Sequence, residues 1–226
     1  MADLTPEQLE ALRQIPSCAI SNAIETFKVR PNNEGFMSPH VRCIYPDMGH
    51  MIGYAVTVVI AANQPATPRT TLSRADYYDE LLKVPEPRVV VVQDLDYPNP
   101  IGSFWGEVNA NVHKALGCVG TVTDGGVRDL DEMHDKGFNA FAAAVLVSHA
   151  NIHIVDVNVP ITVGGLTVKP GDLVLGDQHG VTEVPKELVA EMPAAVARVE
   201  AKERTIIDLC NSPDFTLDKL KAMYPG

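Results

Sequence analysis

Cysteine is scarce in this sequence, and the four cysteines present are far apart. Cys18, Cys43, Cys118 and Cys210 show none of the paired spacings that are typical of zinc sites or redox-active dithiols. The pattern therefore excludes those motifs, and it predicts reduced thiols that are mostly buried.

Basic residues are also few, since 18 Lys and Arg face 29 Asp and Glu and leave a net charge of −11. Binding to nucleic acid or to an anionic membrane depends on clustered Lys and Arg. We therefore expect neither of them as a partner. A small acidic substrate remains compatible, because only the local field at its binding site has to be positive.

Long apolar runs are missing as well. The N-terminus has no basic and apolar signal region, and no run is long enough to cross a bilayer. These absences predict a cytoplasmic protein. The 226 residues, 46% of them hydrophobic, are enough for one full core. We predict a single domain over 1–226, with a core at about 17–185 and a C-terminal helical extension at 186–226.

The most informative stretch begins at Trp105-Gly106-Glu107-Val108-Asn109. Apolar residues after Gly106 recur at helical spacing, and Gly117 suits the end of that helix. Cys118–Thr123 is short, apolar and rich in β-branched residues, which predicts a buried strand. Asp124-Gly125-Gly126 then has the composition of a turn. Because open α/β sheets bind ligands where strands end, Arg128 and Asp129 are predicted to lie at a binding mouth.

These residue types suggest a specific chemistry. Arg128 can stabilise a developing oxyanion, and Asp129 can hold a hard divalent cation that keeps most of its waters. The free N–H groups of Gly106, Glu107, Val108 and Asn109 at a helix start can receive a carboxylate. Together these groups would bind a 2-oxo acid. The simpler alternatives are a solvated Arg-Asp cap and, for Glu107, an acid favoured by the helix dipole.

Other residues are weaker candidates. Asp94 and Asp96 follow a buried strand, where they suit either a metal or a turn cap. His149 and His153 would share a face of an extended segment, but no third metal ligand is evident. Arg74 lies near a predicted helix start and is a candidate for binding an anionic ligand.

The flanking segments contain well-marked elements. Thr5, Pro6 and Gln8 predict a capping box at the start of a helix. The main predicted elements are helices at Pro6–Gln14, Ser73–Lys83 and Lys186–Cys210, the last interrupted at Pro193, and strands at Met51–Ala61 and Arg88–Gln93.

The central motif resembles the RraA-like superfamily. The resemblance rests on Trp-Gly-Glu at 105–107, on twenty residues between Glu107 and Arg128, and on Asp-Gly-Gly-Val-Arg-Asp at 124–129. It extends from about 17 to about 185 and includes Val163-Gly-Gly-Leu-Thr-Val-Lys-Pro-Gly-Asp172.

The resemblance implies a three-layer swivelling β/β/α sandwich, here with helical extensions at both termini. It implies a lyase like the class II aldolases of 4-hydroxy-4-methyl-2-oxoglutarate, which also decarboxylate oxaloacetate. Arg128 matches the arginine that steadies the enolate, Asp129 the ligand of Mg²⁺ or Mn²⁺, and the amides of 106–109 the carboxylate site. Glu107, the proton-handling position, stands where the aldolases usually have Asp. A homotrimer or homohexamer is also implied.

Two other activities are associated with this superfamily. Its regulator branch binds and inhibits an RNA-degrading endonuclease and lacks the complete acid-Arg-Asp set, which this chain keeps in modified form. A methyltransferase would need an S-adenosylmethionine site, and no glycine-rich nucleotide loop followed by a ribose-binding acid is present in this sequence. The sequence therefore favours a lyase.

Overall fold

The structure, a computed structural model, describes residues 4–68 and 71–224. The helices are α1 Pro6–Arg13, α2 Ser17–Phe27, α3 Arg74–Leu81, α4 Glu107–Ala115, α5 Leu130–Asp135, α6 Met192–Cys210 and α7 Leu217–Ala222. The strands are β1 Arg42–Cys43, β2 Met51–Ala61, β3 Arg88–Asp94, β4 Ser103–Trp105, β5 Cys118–Val127, β6 Asn139–Val145, β7 His153–Val157, β8 Ile161–Val163, β9 Leu166–Val168, β10 Leu173–Asp177 and β11 Gly180–Glu183.

Nine of the strands in the described residues form one mixed sheet. Its order is β1-β6-β5-β3-β2-β10-β11, with β4 paired to β5 and β7 paired to β2. The pairs β2–β3, β3–β5, β4–β5 and β5–β6 are parallel. The carboxyl ends of these strands therefore meet along one edge, where the loops that follow β4 and β5 come together.

Two hydrophobic cores lie on opposite faces of this sheet, and the side-chain alternation of β3 shows why. Val90 and Val92 pack into the core that contains the helices. Val89 and Val91 belong to a second core with the β8–β9 hairpin. Successive strand residues point to opposite faces, so a continuous valine run serves both cores. The result is the expected mixed α/β fold of a hairpin layer, a main sheet and a helical layer.

Several predicted elements are confirmed closely. Helix α1 begins with the full capping box, in which the Thr5 side chain accepts from the backbone of Gln8 and the Gln8 side chain accepts from the backbone of Thr5. Strand β2 has the predicted bounds. Helix α3 starts one residue later than predicted, because Ser73 is its N-cap.

Three expectations were wrong. Asp124-Gly125-Gly126 is not a turn, since β5 continues through it with a shift in register between Thr123 and Gly126. The break in the predicted helix Lys186–Cys210 lies before Met192 rather than at Pro193, because a 3-10 turn at Lys186–Leu188 precedes α6 and Pro193 sits in the first turn of α6, where its missing N–H has no cost. Of the four free cysteines, only Cys118 is buried.

In the part of the chain that the structure describes, no helix is long and apolar enough to span a membrane.

Candidate active site

A cleft of about 250 Å³ opens at the carboxyl-end edge of the sheet and contains most of the predicted site residues. Ligand pockets for larger molecules usually span about 300–1,000 Å³, so this cleft suits a small ligand. A larger cleft of about 520 Å³ near α1 contains none of the predicted site residues. The smaller cleft is lined by Arg74, Phe104, Gly106, Val108, Asn109, Arg128, Asp129 and His149.

Arg128 and Asp129 follow β5 and face the cleft together. Nε of Arg128 lies 3.6 Å from Oδ1 of Asp129, and the two side chains are 30% and 33% exposed. This Nε is buried and has no hydrogen-bond partner among the described residues. Because the Arg128 side chain is 30% exposed, the accessible part of its guanidinium can bind an anionic oxygen that enters the cleft.

The backbone of Asp129 adopts an unusual conformation. It has φ 51° and ψ 53°, in the left-handed region that residues other than glycine rarely enter. Asp129 is the N-cap residue of α5, yet its side chain does not cap α5. Its Oδ2 instead accepts a hydrogen bond of 3.0 Å from the backbone N–H of Glu107. The carboxylate is thereby turned toward the start of α4.

The start of α4 presents free backbone donors. Gly106 is its N-cap and supplies no side-chain cap. Glu107 donates its N–H to Asp129, whereas the N–H groups of Val108 and Asn109 have no partner among the described residues. Of the four amides expected to receive a carboxylate, only that of Glu107 is committed, and those of Gly106, Val108 and Asn109 have no partner in the part of the chain that the structure describes.

Gly106 lies in close contact with Arg128 and Asp129. Its φ of −173° is ordinary extended backbone. A Cβ at this position would come within 2.6 Å of Oδ2 of Asp129 and 3.2 Å of Cγ of Arg128. The absence of a side chain at 106 therefore leaves room for Arg128 and Asp129 to lie against the start of α4.

The side chain of Glu107 lies outside the cleft that Arg128 and Asp129 line. Glu107 is exposed, and among the described residues it is not part of the cleft lining. Its side chain makes no hydrogen bond within the described structure. The proton-handling role of Glu107 stays a prediction.

Two further polar residues, Arg74 and His149, line the cleft and were only weak candidates from the sequence. Arg74 donates a hydrogen bond of 3.0 Å from Nη1 to Oδ1 of Asn109. His149 places Nδ1 3.1 Å from the carbonyl of Ser103, so this nitrogen carries the proton. The sequence offers His149 and His153 as a metal pair, but the described residues contain no group of three His, Cys, Asp or Glu that could hold a metal.

Acidic residues at the end of β3 and within β5 form a separate group, in which Asp94 and Asp124 are buried. Oδ1 of Asp124 accepts the N–H of Asp94 at 2.7 Å, and Oδ1 of Asp94 accepts the N–H of Asp96 at 2.9 Å. Burial raises the pKa of Asp94 to about 6 and that of Asp124 to about 7. Oδ2 of Asp96 accepts the N–H groups of Ala62 and Asn63. Asp94 and Asp96 therefore act as turn caps.

One protein family matches most of the chain. The family described as RraA-like, Aldolase/RraA, matches residues 17–182. A protein of Halalkalibacterium halodurans named "Putative 4-hydroxy-4-methyl-2-oxoglutarate aldolase" is 28% identical over 206 residues, which cover 87% of each chain.

Solved structures share the fold. An uncharacterized protein from Pseudomonas syringae pv. tomato superposes with a TM-score of 0.75 at 27% identity and covers 99% of this chain and 96% of its own. RraAS2 of Streptomyces coelicolor, described as an unusual member of the RNase ES inhibitor RraA protein family, has a TM-score of 0.71 at 22% identity, covering 91% of this chain and 98% of its own. The sequence match over 17–182 and these folds agree, and the chain belongs to the RraA-like family.

Proposed function

We propose that this protein is a divalent-metal-dependent lyase that forms a pyruvate enolate, either by retro-aldol cleavage of a 4-hydroxy-2-oxo acid or by decarboxylation of oxaloacetate. The observation that carries the proposal is the meeting of three groups in one cleft. These are the partly exposed guanidinium of Arg128, the carboxylate of Asp129 and the free amides at the start of α4. The aldolase name of the Halalkalibacterium halodurans relative supports the same reaction class.

The free amides of Val108 and Asn109 would bind the carboxylate of the 2-oxo acid, because a helix start favours an anion. Arg128 would then face the 2-oxo oxygen, where its planar fork of donors stabilises negative charge. The cleft thus holds the two ends of a pyruvyl group by separate donors. Such positioning favours the transition state when the charge of the enolate develops within reach of Arg128.

The bond changes are the same on the pyruvyl side for both substrates. In the retro-aldol reaction a base removes the proton of the 4-hydroxyl group, the C3–C4 bond breaks, and its electron pair passes to the 2-oxo oxygen. In decarboxylation the same bond breaks and releases carbon dioxide. The enolate then takes a proton at C3 and becomes pyruvate. Glu107, directly or through water, is the proposed carrier of a proton in these steps.

Asp129 would hold the cation, because a single carboxylate suits Mg²⁺ or Mn²⁺ that keeps most of its waters. The Asp129 side chain is 33% exposed, and its Oδ1 accepts no hydrogen bond among the described residues, which fits this assignment. When bound, the cation supplies positive charge that stabilises the developing enolate.

Assembly into a homotrimer or homohexamer is part of the proposal. Val108 lines the cleft and is 73% exposed, and Val147 is 94% exposed. The carbonyl of Val147 accepts a hydrogen bond of 3.4 Å from Nη1 of Arg128, which ties this exposed segment to the site. Exposed apolar side chains next to the cleft suit coverage by a second copy of the chain.

Proton exchange from pyruvate tests the proposal independently of the natural substrate. Purified protein with Mg²⁺ or Mn²⁺ in deuterated water should cause loss of the pyruvate methyl signal in proton NMR, and pyruvate should also be released from oxaloacetate or from a panel of 4-hydroxy-2-oxo acids. If neither exchange nor cleavage occurs, the alternative is a regulator of an RNA-degrading enzyme. That function should survive the Asp129→Ala substitution.

A further inference from the structure

A second arginine lies in the candidate cleft and has no acidic partner. Arg74 is the first residue of α3, and Ser73 caps this helix. No carboxylate lies within ion-pair distance of Arg74 in residues 4–68 and 71–224. One of its five N–H donors is committed to Asn109, so most of its donors are available to a ligand.

The position of Arg74 is fixed by Asn109, whose side chain is buried. The side-chain amide of Asn109 donates to the carbonyl of Phe104, which leaves Oδ1 to accept from Arg74. The opposite orientation would turn the amide donors toward the guanidinium and the amide oxygen toward the carbonyl, so the network has one consistent arrangement. Asn109 therefore holds a positive charge at the third residue of α4.

A second link joins α3 to α4 beneath this contact. Nδ1 of His113 lies 2.6 Å from the carbonyl of Asn109, and Nε2 lies 2.7 Å from the hydroxyl of Tyr77. Because a carbonyl only accepts, Nδ1 carries the proton and Nε2 accepts from Tyr77. Burial lowers the pKa of His113 to about 4, so the imidazole is neutral at pH 7. The link is rigid and adds no second charge beside Arg74.

Arg74 adds positive charge near the start of α4, where an anionic ligand would bind. Side chains on a helix lean toward its N-terminus, so the Asn109 contact brings Arg74 toward the free amides of Val108 and Asn109. The carboxylate of Asp129 lies at the start of α4, where it accepts the N–H of Glu107, and its negative charge disfavours an anion there. A guanidinium beside the amides offsets this repulsion and gives a charge-assisted hydrogen bond.

We propose that Arg74 forms an ion pair with the carboxylate of the bound 2-oxo acid, the same carboxylate that the α4 amides receive. Arg74 is thus a substrate-binding residue that selects a free acid over its neutral amide or ester. Arg128 is left to act on the 2-oxo oxygen. This inference rests on the proposed enolate chemistry for its kinetic test, although the binding step itself does not require turnover.

The test compares pyruvate with pyruvamide, its neutral analogue, in the methyl-exchange assay. Arg74→Met should raise KM for pyruvate by about 10- to 100-fold and change kcat by less than about 3-fold, because the contact is made equally in the ground and transition states. KM for pyruvamide should stay within about 2-fold, since no charge remains for Arg74 to bind. Arg74→Lys should recover part of the loss. Arg198→Met, which removes an exposed arginine from α6, is the matched control and should behave as wild type.

Calorimetric titration of pyruvate into wild type and Arg74→Met, with Mg²⁺ present, separates binding from chemistry. Weaker pyruvate binding to Arg74→Met supports the inference even if the wild-type protein exchanges no protons. Absence of exchange would contradict only the proposed reaction. An unchanged KM for pyruvate in an actively exchanging variant overturns it. So does an equal rise in KM for pyruvate and pyruvamide, which would indicate general damage to the cleft. Wild type that binds no pyruvate also overturns it.

Discussion

Oδ2 of Asp129 accepts a 3.0 Å hydrogen bond from the backbone N–H of Glu107, so the residue that begins α5 caps α4. Asp129 holds a left-handed backbone conformation in doing so, at φ 51°. Such conformations cost about 1–3 kcal/mol and persist where surrounding structure enforces them. The single carboxylate thus joins the two loops of the candidate site, and it is the natural first target for mutation.

Asp129→Asn separates the structural role of this carboxylate from its charge. The amide oxygen can still accept from Glu107, so the thermal midpoint should stay close to wild type. Metal-dependent pyruvate exchange should fall by about 100-fold or more, because the proposed cation loses its anionic ligand. Asp129→Ala should also lose about 1 kcal/mol of stability with the cap. Exchange by the Asp129→Asn variant at the wild-type rate would contradict the metal assignment.

Chelation should have the same effect on the wild-type protein. One carboxylate binds Mg²⁺ weakly and reversibly, so excess chelator should abolish exchange and cleavage, and added Mg²⁺ or Mn²⁺ should restore both. Full turnover in excess chelator would rule out the metal-dependent reaction.

Arg128→Lys should slow methyl exchange by about 100-fold, because an ammonium does not reproduce the planar fork that faces the enolate oxygen. The effect should fall on kcat, whereas Arg74→Met acts on KM. NMR rates at several pyruvate concentrations distinguish the two, and Arg198→Lys is the control for a conservative change at an exposed arginine. A raised KM with unchanged kcat would instead indicate that Arg128 only binds the substrate.

Gly106→Ala probes the close contact at the start of α4. The backbone of Gly106 is extended and accepts alanine, but the new Cβ would meet Oδ2 of Asp129 at 2.6 Å. Displacement of the carboxylate should raise the Mg²⁺ concentration needed for half-maximal exchange by about 10-fold. Measuring the exchange rate at increasing Mg²⁺ concentrations gives this half-maximal value. An unchanged value would show that the Asp129 carboxylate accommodates the new Cβ without losing the cation.

The buried carboxyls of Asp94 and Asp124 should make stability depend on pH. Their folded pKa values of about 6 and about 7 lie above the usual 3.8, so between these values the folded protein keeps protons that the unfolded chain has lost. Unfolding free energy contributed by the pair therefore falls as pH rises from about 4 to about 7. Asp124→Asn should gain about 1–3 kcal/mol relative to wild type over this window.

Urea unfolding of wild type and Asp124→Asn across pH 4–8 measures the difference. The comparison between the two proteins cancels the opposite contribution of His113, whose lowered pKa makes stability rise over part of the same range. A difference that stays constant with pH would show that Asp124 ionises normally in the folded protein.

The sequence identified the elements whose formation is local, and it identified the residues of the central motif. The capping box of α1 and the bounds of β2 depend on neighbouring residues or on a continuous apolar run, and both agree with the structure. The motif named Arg128 and Asp129, which the structure brings into one cleft with Gly106. Their chemical roles remain predictions.

The tertiary structure decided what depends on distant partners. Asp124-Gly125-Gly126 has turn composition, yet it continues β5 because β4 and β6 pair with Gly126 and Val127 from either side. Arg74 lies in the cleft because α3 packs beside α4, with hydrogen bonds from Arg74 to Asn109 and between Tyr77 and His113. The spacing of residues along the chain does not predict such contacts, because hydrogen bonds and burial between remote segments form only when the chain folds.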